Sequence, residues 1–439
     1  MVIRPYQKEL AEKGADKLRR LGIVYYTVEV RVGKTIITLE LCSQMCFDRV
    51  LFIGKKKGID SIIGDHKAMG YGFNLTCINR ESLHKVEGDF DVVVIDEAHI
   101  YGGYPKPGKF TKDVKKRFAK VPMVFLSGTP TPESYSQIFH QFWMSARSPF
   151  KEVNFYRWAD TYVNKYQRHL PHGVVNFYDR AKKKEIFEVV KDYMISYTQQ
   201  QAGFEVEIKE VIHEVDMKPS TMQLIEKLKQ AKVIQGQVEV ILADSPAKEL
   251  SKVHQLCSGT VIFESGKSIV IDMSKANYIR DYFKGKKLAI FYKYKEELTA
   301  IQSVLDVTQS IDEFNTTSKS IALQIVSGRE GINLSKGDAI VYYNIDFAAV
   351  SYWQSRARMI TSDRKTAEVH WLFAKGGIER GIYEKVMQKK NFTTSHYVRA
   401  TSTSKADQRP REAGVLRHQA DQNKQSGYSR PIGRQRGQM

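Results

Sequence analysis

Two short groups of residues, 62 positions apart counted from Lys34 to Asp96, have the chemistry to act together on a phosphate. In VEVRVGKTIIT (28–38), Gly33, Lys34 and Thr35 bring a pliant backbone, an ammonium and a hydroxyl to the start of an expected helix. Backbone N–H groups there cradle phosphate, a lysine meets the terminal phosphates, and a threonine hydroxyl ligates Mg²⁺. In DVVVIDEAHI (91–100), Asp96 and Glu97 end the apolar run Val92, Val93, Val94, Ile95. Such a run, with no polar alternation, suits a strand buried on both faces of a parallel sheet. Two carboxylates at its end waste burial energy unless positive charge lies beyond, and in open α/β sheets that edge is where ligands bind. With a metal and a triphosphate opposite, Asp96 is expected to hold Mg²⁺ and Glu97 to position and polarise the attacking water. Each group alone is weak. The acids fit an ordinary surface turn, and the loop has Val28 and Arg31 where glycines are common. Together, in one alternating segment, they are strong.

The elements that must position these groups follow from the hydrophobic pattern. Residues 1–145 alternate strands (GIVYYTVEV, RVLFIG, FNLTCIN, DVVVID, VPMVFLS) with helices such as YQKELAEKGADKLRRLG, which predicts a doubly wound parallel sheet. Residues 146–205 are dense in aromatic and basic side chains and read as a largely helical insertion. From 206 to 390 the alternation resumes with EIKEVIHEV, KLAIFY, IALQIV, AIVYYN and EVHWLFA. Residues 391–439 are polar and aperiodic, the pattern of a disordered basic tail that could also meet protein partners.

The chain has 439 residues, enough for two domains, and a net charge of +19, which points to a polyanionic partner. The tail holds nine Lys or Arg against three Asp or Glu, so most of the excess belongs to the remainder. No apolar run reaches the roughly 18 residues of a membrane span, and MVIRPYQKEL lacks a secretory core, so a cytoplasmic protein without membrane contact is expected. Four scattered cysteines suit reduced thiols; Cys42 and Cys46 lack the second pair a zinc site needs.

Asp96-Glu97-Ala98-His99 resembles the Walker B box of superfamily 2 helicases and translocases, and further segments match in order, most closely the Swi/Snf-like branch. IRPYQ (3–7) is similar to the box in which a glutamine, here Gln7, reads adenine. LFIGKKKGID and INRESLHK resemble the boxes that touch the nucleic-acid backbone, implicating Lys55, Lys56, Asn79 and Ser82. LSGTPTPES resembles the coupling motif through Ser127 and Thr129, with His99 as its partner, and VHQLC the helix before the second domain's sheet. KKLAIFYKYKEEL, SGREGINLS and YWQSRARMI look like the boxes of that second domain, implicating Ser327 and Gly328 at nucleic acid, Gly331 and Asn333 at ATP, and Gln354 in coupling. The resemblance spans residues 3–390, and compact phage-encoded relatives have similar size. It implies two tandem RecA-like domains, ATP held by Val32, Gly33, Lys34 and Thr35 with Mg²⁺ on Thr35 and Asp96, and movement along nucleic acid, DNA favoured.

The final box departs from the family. Arg358 stands where the first arginine belongs, Thr361 occupies the second place, and Arg356 is out of pattern. Two residues apart on a helix, Arg356 and Arg358 cannot face one ligand; one is expected at the γ-phosphate and the other packed elsewhere, with Arg358 favoured. An RNA helicase and a non-translocating nucleic-acid-binding ATPase stay open as alternatives, as does the oligomeric state. A nuclease is disfavoured because no Asp/Glu-x-Lys or His-Asn-His cluster stands outside the motor motifs.

Overall fold

The computed structural model describes residues 2–170, 173–204, 207–325, 332–359 and 366–388. The first sheet is built from β1 (Ile23–Val28), β2 (Arg49–Gly54), β3 (Asn74–Asn79), β4 (Val92–Ile95) and β5 (Met123–Leu126). A two-stranded hairpin follows, β6 (Tyr166–Leu170) with β7 (Gly173–Phe177), and then β8 (Met194–Tyr197) closes the sheet in the order β3-β2-β4-β5-β1-β8, every pair parallel.

Why β4 is apolar throughout is now plain. Val93 and Ile95 point into one core with Ile23, Tyr25, Met123 and Phe125, while Val92 and Val94 point into another with Val24, Tyr26, Val124 and Leu126. All four β4 residues are fully buried, each contributing roughly 1.5–3 kcal/mol of transfer free energy. The helix Pro5–Leu21 covers one face through Leu10, Gly14 and Leu18. Gly14 is required there by close approach: a Cβ would lie 1.8 Å from the Tyr26 hydroxyl, which donates to the Leu10 carbonyl at 2.9 Å.

Residues 146–205 carry the helices Phe155–Tyr162 and Lys183–Val190, and beside them the β6–β7 hairpin and β8. The first sheet thus takes its edge strand from beyond residue 145. Four residues, Met-Ile-Ser-Tyr, are too few to announce a strand by alternation, so β8 was silent in the sequence.

The second sheet uses β9 (Glu207–Val215), and two short antiparallel pairs intervene, β10 (Val233–Gln235) with β11 (Val240–Leu242) and β12 (Thr260–Ile262) with β13 (Ser268–Val270). It continues with β14 (Leu288–Tyr292), β15 (Val307–Thr308), β16 (Ser320–Gln324), β17 (Ala339–Tyr342) and β18 (Thr366–Ala374) in the parallel order β15-β16-β14-β17-β18-β9. Two six-stranded parallel sheets in tandem are the α/β architecture expected of paired RecA-like domains. No helix among the described residues is long and apolar enough to cross a membrane. The basic segment expected at 391–439 lies outside the described residues.

Candidate active site

The carboxyl ends of β1, β4 and β5 lie side by side, because β5 separates β1 from β4. From β1 the chain turns through Glu29–Gly33 and enters the helix Lys34–Gln44. Gly33 caps that helix at φ 95°, a left-handed conformation, and a Cβ on it would meet the Gln7 side-chain nitrogen at 2.2 Å. Arg31 also has positive φ, at 68°. The Lys34 ammonium donates to the carbonyls of Val28 at 3.1 Å and Glu29 at 3.4 Å. Thr35 follows, half-buried, in the first turn of the helix.

Asp96 and Glu97 leave β4 in a strained turn, with Glu97 at φ 49°, ψ 47°. A non-glycine residue held there costs of order 1–3 kcal/mol, a strain found at sites where a side chain must be aimed. The Asp96 carboxylate accepts from the Glu97 N–H at 2.9 Å. Glu97 lies 3.2 Å from His99 Nδ1, which is 2.9 Å from the Ser127 hydroxyl, and that hydroxyl accepts from the Thr129 N–H at 3.2 Å. Three of the four sequence-expected coupling residues, His99, Ser127 and Thr129, thus form one line of contacts running from Glu97 to the loop after β5.

Electrostatics divide the acid pair. Burial and the neighbouring Glu97 push the Asp96 carboxyl up to about 6, with Lys34 and Lys55 opposing. Glu97 is also buried, which works against ionisation, but the bond to His99 and the charges of His99, Lys34 and Lys55 outweigh it and hold the group down at about 2. Burial lowers the pKa of Lys34, Glu97 and Asp96 raise it, and the Arg358 guanidinium lowers it. A loop cation, two acids and an arginine from the turn Ala357–Met359 of the second domain therefore act on one another here.

Asp96 gives a stability prediction. A carboxyl raised in the folded state penalises folding above pH 6, and the penalty is absent below the ordinary carboxylate range. Asp96→Asn keeps the acceptor for the Glu97 N–H and removes the charge. It should stabilise the ligand-free protein by roughly 1–3 kcal/mol at pH 8, with little difference from the parent at pH 4. Thermal melts at both pH values decide it; a lower midpoint at pH 8 would refute the assignment.

The second domain reaches the loop through two segments. Arg31 donates to the Arg358 carbonyl and lies 3.4 Å from the Asn333 side-chain oxygen. Asn333 is thus brought to the Glu29–Gly33 loop. Arg356 is not: its guanidinium donates to Glu210 at 2.9 Å and to the Tyr352 hydroxyl at 2.8 Å. Glu210 further accepts from Trp371 and Tyr383. Placed among the catalytic residues by sequence, Arg356 stands in this structure at the end of the helix Ala349–Arg356, tied to Glu210 of β9. Gln354 falls in that helix, but its side chain lies outside the described residues, as do Ser327, Gly328 and Gly331.

No family model matches the chain. No curated protein matches it. Among the solved structures similar to it are the Sulfolobus solfataricus SWI2/SNF2 ATPase core in complex with dsDNA, at 14% identity over 92% of this chain and 96% of that one with a TM-score of 0.40, and the Sulfolobus solfataricus SWI2/SNF2 ATPase core domain, at 14% identity over 88% of each chain with a TM-score of 0.41. At that level, only the site's own residues carry the functional reading.

The remaining expected residues fall around this centre. Gln7 is buried; its side-chain oxygen accepts from the Arg4 N–H at 3.0 Å and its nitrogen donates to the Val32 carbonyl at 3.2 Å. Its amide therefore braces the loop after β1. Val32 is a fully buried core residue whose carbonyl also accepts from the Tyr6 hydroxyl at 3.0 Å. Lys55, Lys56 and Asn79 line a cavity of about 460 Å³ at the ends of β2 and β3, with Asp96 in its wall. Ser82 lies nearby in the turn Arg80–Lys85. Two residues that matter were missed. Gln199, just past β8, donates to the Glu29 carboxylate at 2.9 Å and the Val30 carbonyl at 2.8 Å, holding the loop from a segment 170 positions away. Glu210 had no sequence signal, since its partners meet only in the folded sheet.

Proposed function

We propose that the chain hydrolyses ATP and uses the cycle to move along nucleic acid, DNA favoured. The observation that carries this is geometric: Lys34 opens the helix after β1, Asp96 and Glu97 leave β4 two strands away, and Arg31 of the intervening loop donates to the backbone carbonyl of Arg358 from the second domain. Such a set of charges suits a triphosphate and little else. Gly128 lies beside the lysine: a Cβ on it would be in ordinary contact with the Val28 carbonyl at 3.5 Å and the Lys34 ammonium at 3.9 Å. The donor set fits Mg²⁺ as well, with Thr35 and Asp96 as its holders; bound there, the ion would neutralise charge on the phosphates.

The residues divide the work. Lys34 and the backbone at the helix start bind the phosphates. Glu97, ionised at neutral pH, orients and polarises the water through an oxygen aimed by its strained backbone and by His99. Arg358 stabilises charge that grows on the transferred group, which requires the two sheets to approach. The contacts from Glu97 through His99 and Ser127 to Thr129 supply a route by which that event reaches the loop after β5. The charge of +19 and the lysine-lined cavity beside Asp96 favour a polyanion as the second ligand.

ATP turnover measured with duplex DNA, single-stranded DNA, forked DNA or RNA added is the direct test. Stimulation by DNA above RNA is expected, with Lys34→Ala inactive under every condition. Hydrolysis that ignores all four would leave an ATPase that is no nucleic-acid motor.

A further inference from the structure

The β6–β7 hairpin stands apart from both sheets, pairing only with itself from Tyr166↔Phe177 to Leu170↔Gly173. Val174 and Val175 on it are exposed, as are Gln167, His169 and Asn176. An isolated two-stranded ribbon is marginal in water, and this one is held at its base by stacked cations and rings. Tyr166 and Phe177 stack at 5.1 Å, Arg168 lies over both, and Arg180 sits 4.1 Å above Tyr166. Between 165 and 184 there are six Lys or Arg and a single Asp.

The base of the ribbon is fastened to the coupling loop. The Ser134 hydroxyl donates to the Asp179 carbonyl at 2.8 Å, and the Ser136 hydroxyl donates to the Tyr178 carbonyl. Ser134 follows Thr129 by five residues, on the same connection that receives the contacts from Glu97. A cavity of about 590 Å³ lies between Thr129 and Glu133 on one side and Asp179, Lys183 and Phe187 on the other.

Building on the nucleic-acid reading above, we propose that this hairpin is a second nucleic-acid contact, separate from the lysine-lined cavity, which grips the sugar–phosphate backbone through Arg168 and Arg180 and is moved by the coupling loop. Guanidinium groups held against rings keep N–H donors free for phosphate, and ordering the arginines beforehand reduces the entropy lost on binding. Charge selects the partner: an excess of five positive charges within 20 residues suits a polyanion and repels a basic peptide. The tie through Ser134 and Ser136 makes the contact responsive to hydrolysis, since a shift at Thr129 is passed to the ribbon's base.

The test uses the full-length chain and a fluorescein-labelled forked DNA duplex. Arg168→Ala/Arg180→Ala should flatten the dependence of log affinity on log salt by about 1.4–1.8, two phosphate contacts' worth, and leave ATP turnover without DNA at the parent value. The charge-keeping pair Arg168→Lys/Arg180→Lys should retain the parent slope, which separates lost charge from a damaged hairpin. Ser134→Ala/Ser136→Ala should bind DNA with the parent slope but lose most of the stimulation of hydrolysis. A parent slope in the alanine pair overturns the contact, and full stimulation in the serine pair overturns the coupling. A parent protein that binds no DNA would instead strike the motor reading itself.

Discussion

Arg358→Ala should cut single-turnover ATP hydrolysis by about 10³–10⁵-fold while changing nucleotide affinity little, because an arginine that acts on charge developing in the transition state contributes mainly there. Arg358 is the second-domain cation whose field reaches Lys34. Arg356→Ala should behave differently. It removes the partner of Glu210, and a hydrogen bond to a charged group is worth roughly 1.5–3 kcal/mol, so the expected result is a lower thermal midpoint with hydrolysis reduced only modestly. Glu210 would keep its bonds from Tyr352, Trp371 and Tyr383. A dead Arg356→Ala beside an active Arg358→Ala would reverse the assignment. If neither variant is impaired, Arg364, outside the described residues, is next.

Glu97→Gln should bind ATP within a few-fold of the parent and hydrolyse it about 10²–10⁴-fold more slowly, the usual worth of a positioned acid–base group. Glu97 is held below the usual carboxylate range by His99 and the neighbouring lysines, which suits it to orient and polarise water. Glutamine keeps the size but loses the charge, and its contact with His99 changes character. Equilibrium titration with a fluorescent nucleotide, followed by rapid-quench measurement of one turnover, separates the two effects. Parent-rate turnover would remove Glu97 from the mechanism.

Gly33-Lys34-Thr35 and Asp96-Glu97 were legible in the sequence because each is local: a loop between strand and helix, and acids closing an all-apolar strand. The two parallel sheets were legible for the same reason, since strands such as Val92–Ile95 and Leu288–Tyr292 are continuous apolar runs. What stayed hidden depends on distance along the chain. β8 is too short to show a period, Gln199 braces a loop 170 positions away, and Glu210 gathers donors from β18 and two helices. The arginine question was partly legible: helical geometry separated Arg356 from Arg358, but only the position of Glu210 shows which one is engaged elsewhere.

Arg31 stands in the loop after β1, where the resembling motif commonly has a glycine, and its guanidinium holds the backbone of Arg358 and faces Asn333. Whatever rearranges that loop on binding nucleotide must also change its hold on the opposite domain, and thermodynamic reciprocity applies to such a pair. If nucleotide tightens the association of the halves by some factor, any agent that brings the halves together tightens nucleotide by the same factor. A polyanion lying across both sheets would then be felt as higher nucleotide affinity without touching the pocket, and shortening residue 31 to alanine would uncouple the two ligands while leaving each able to bind.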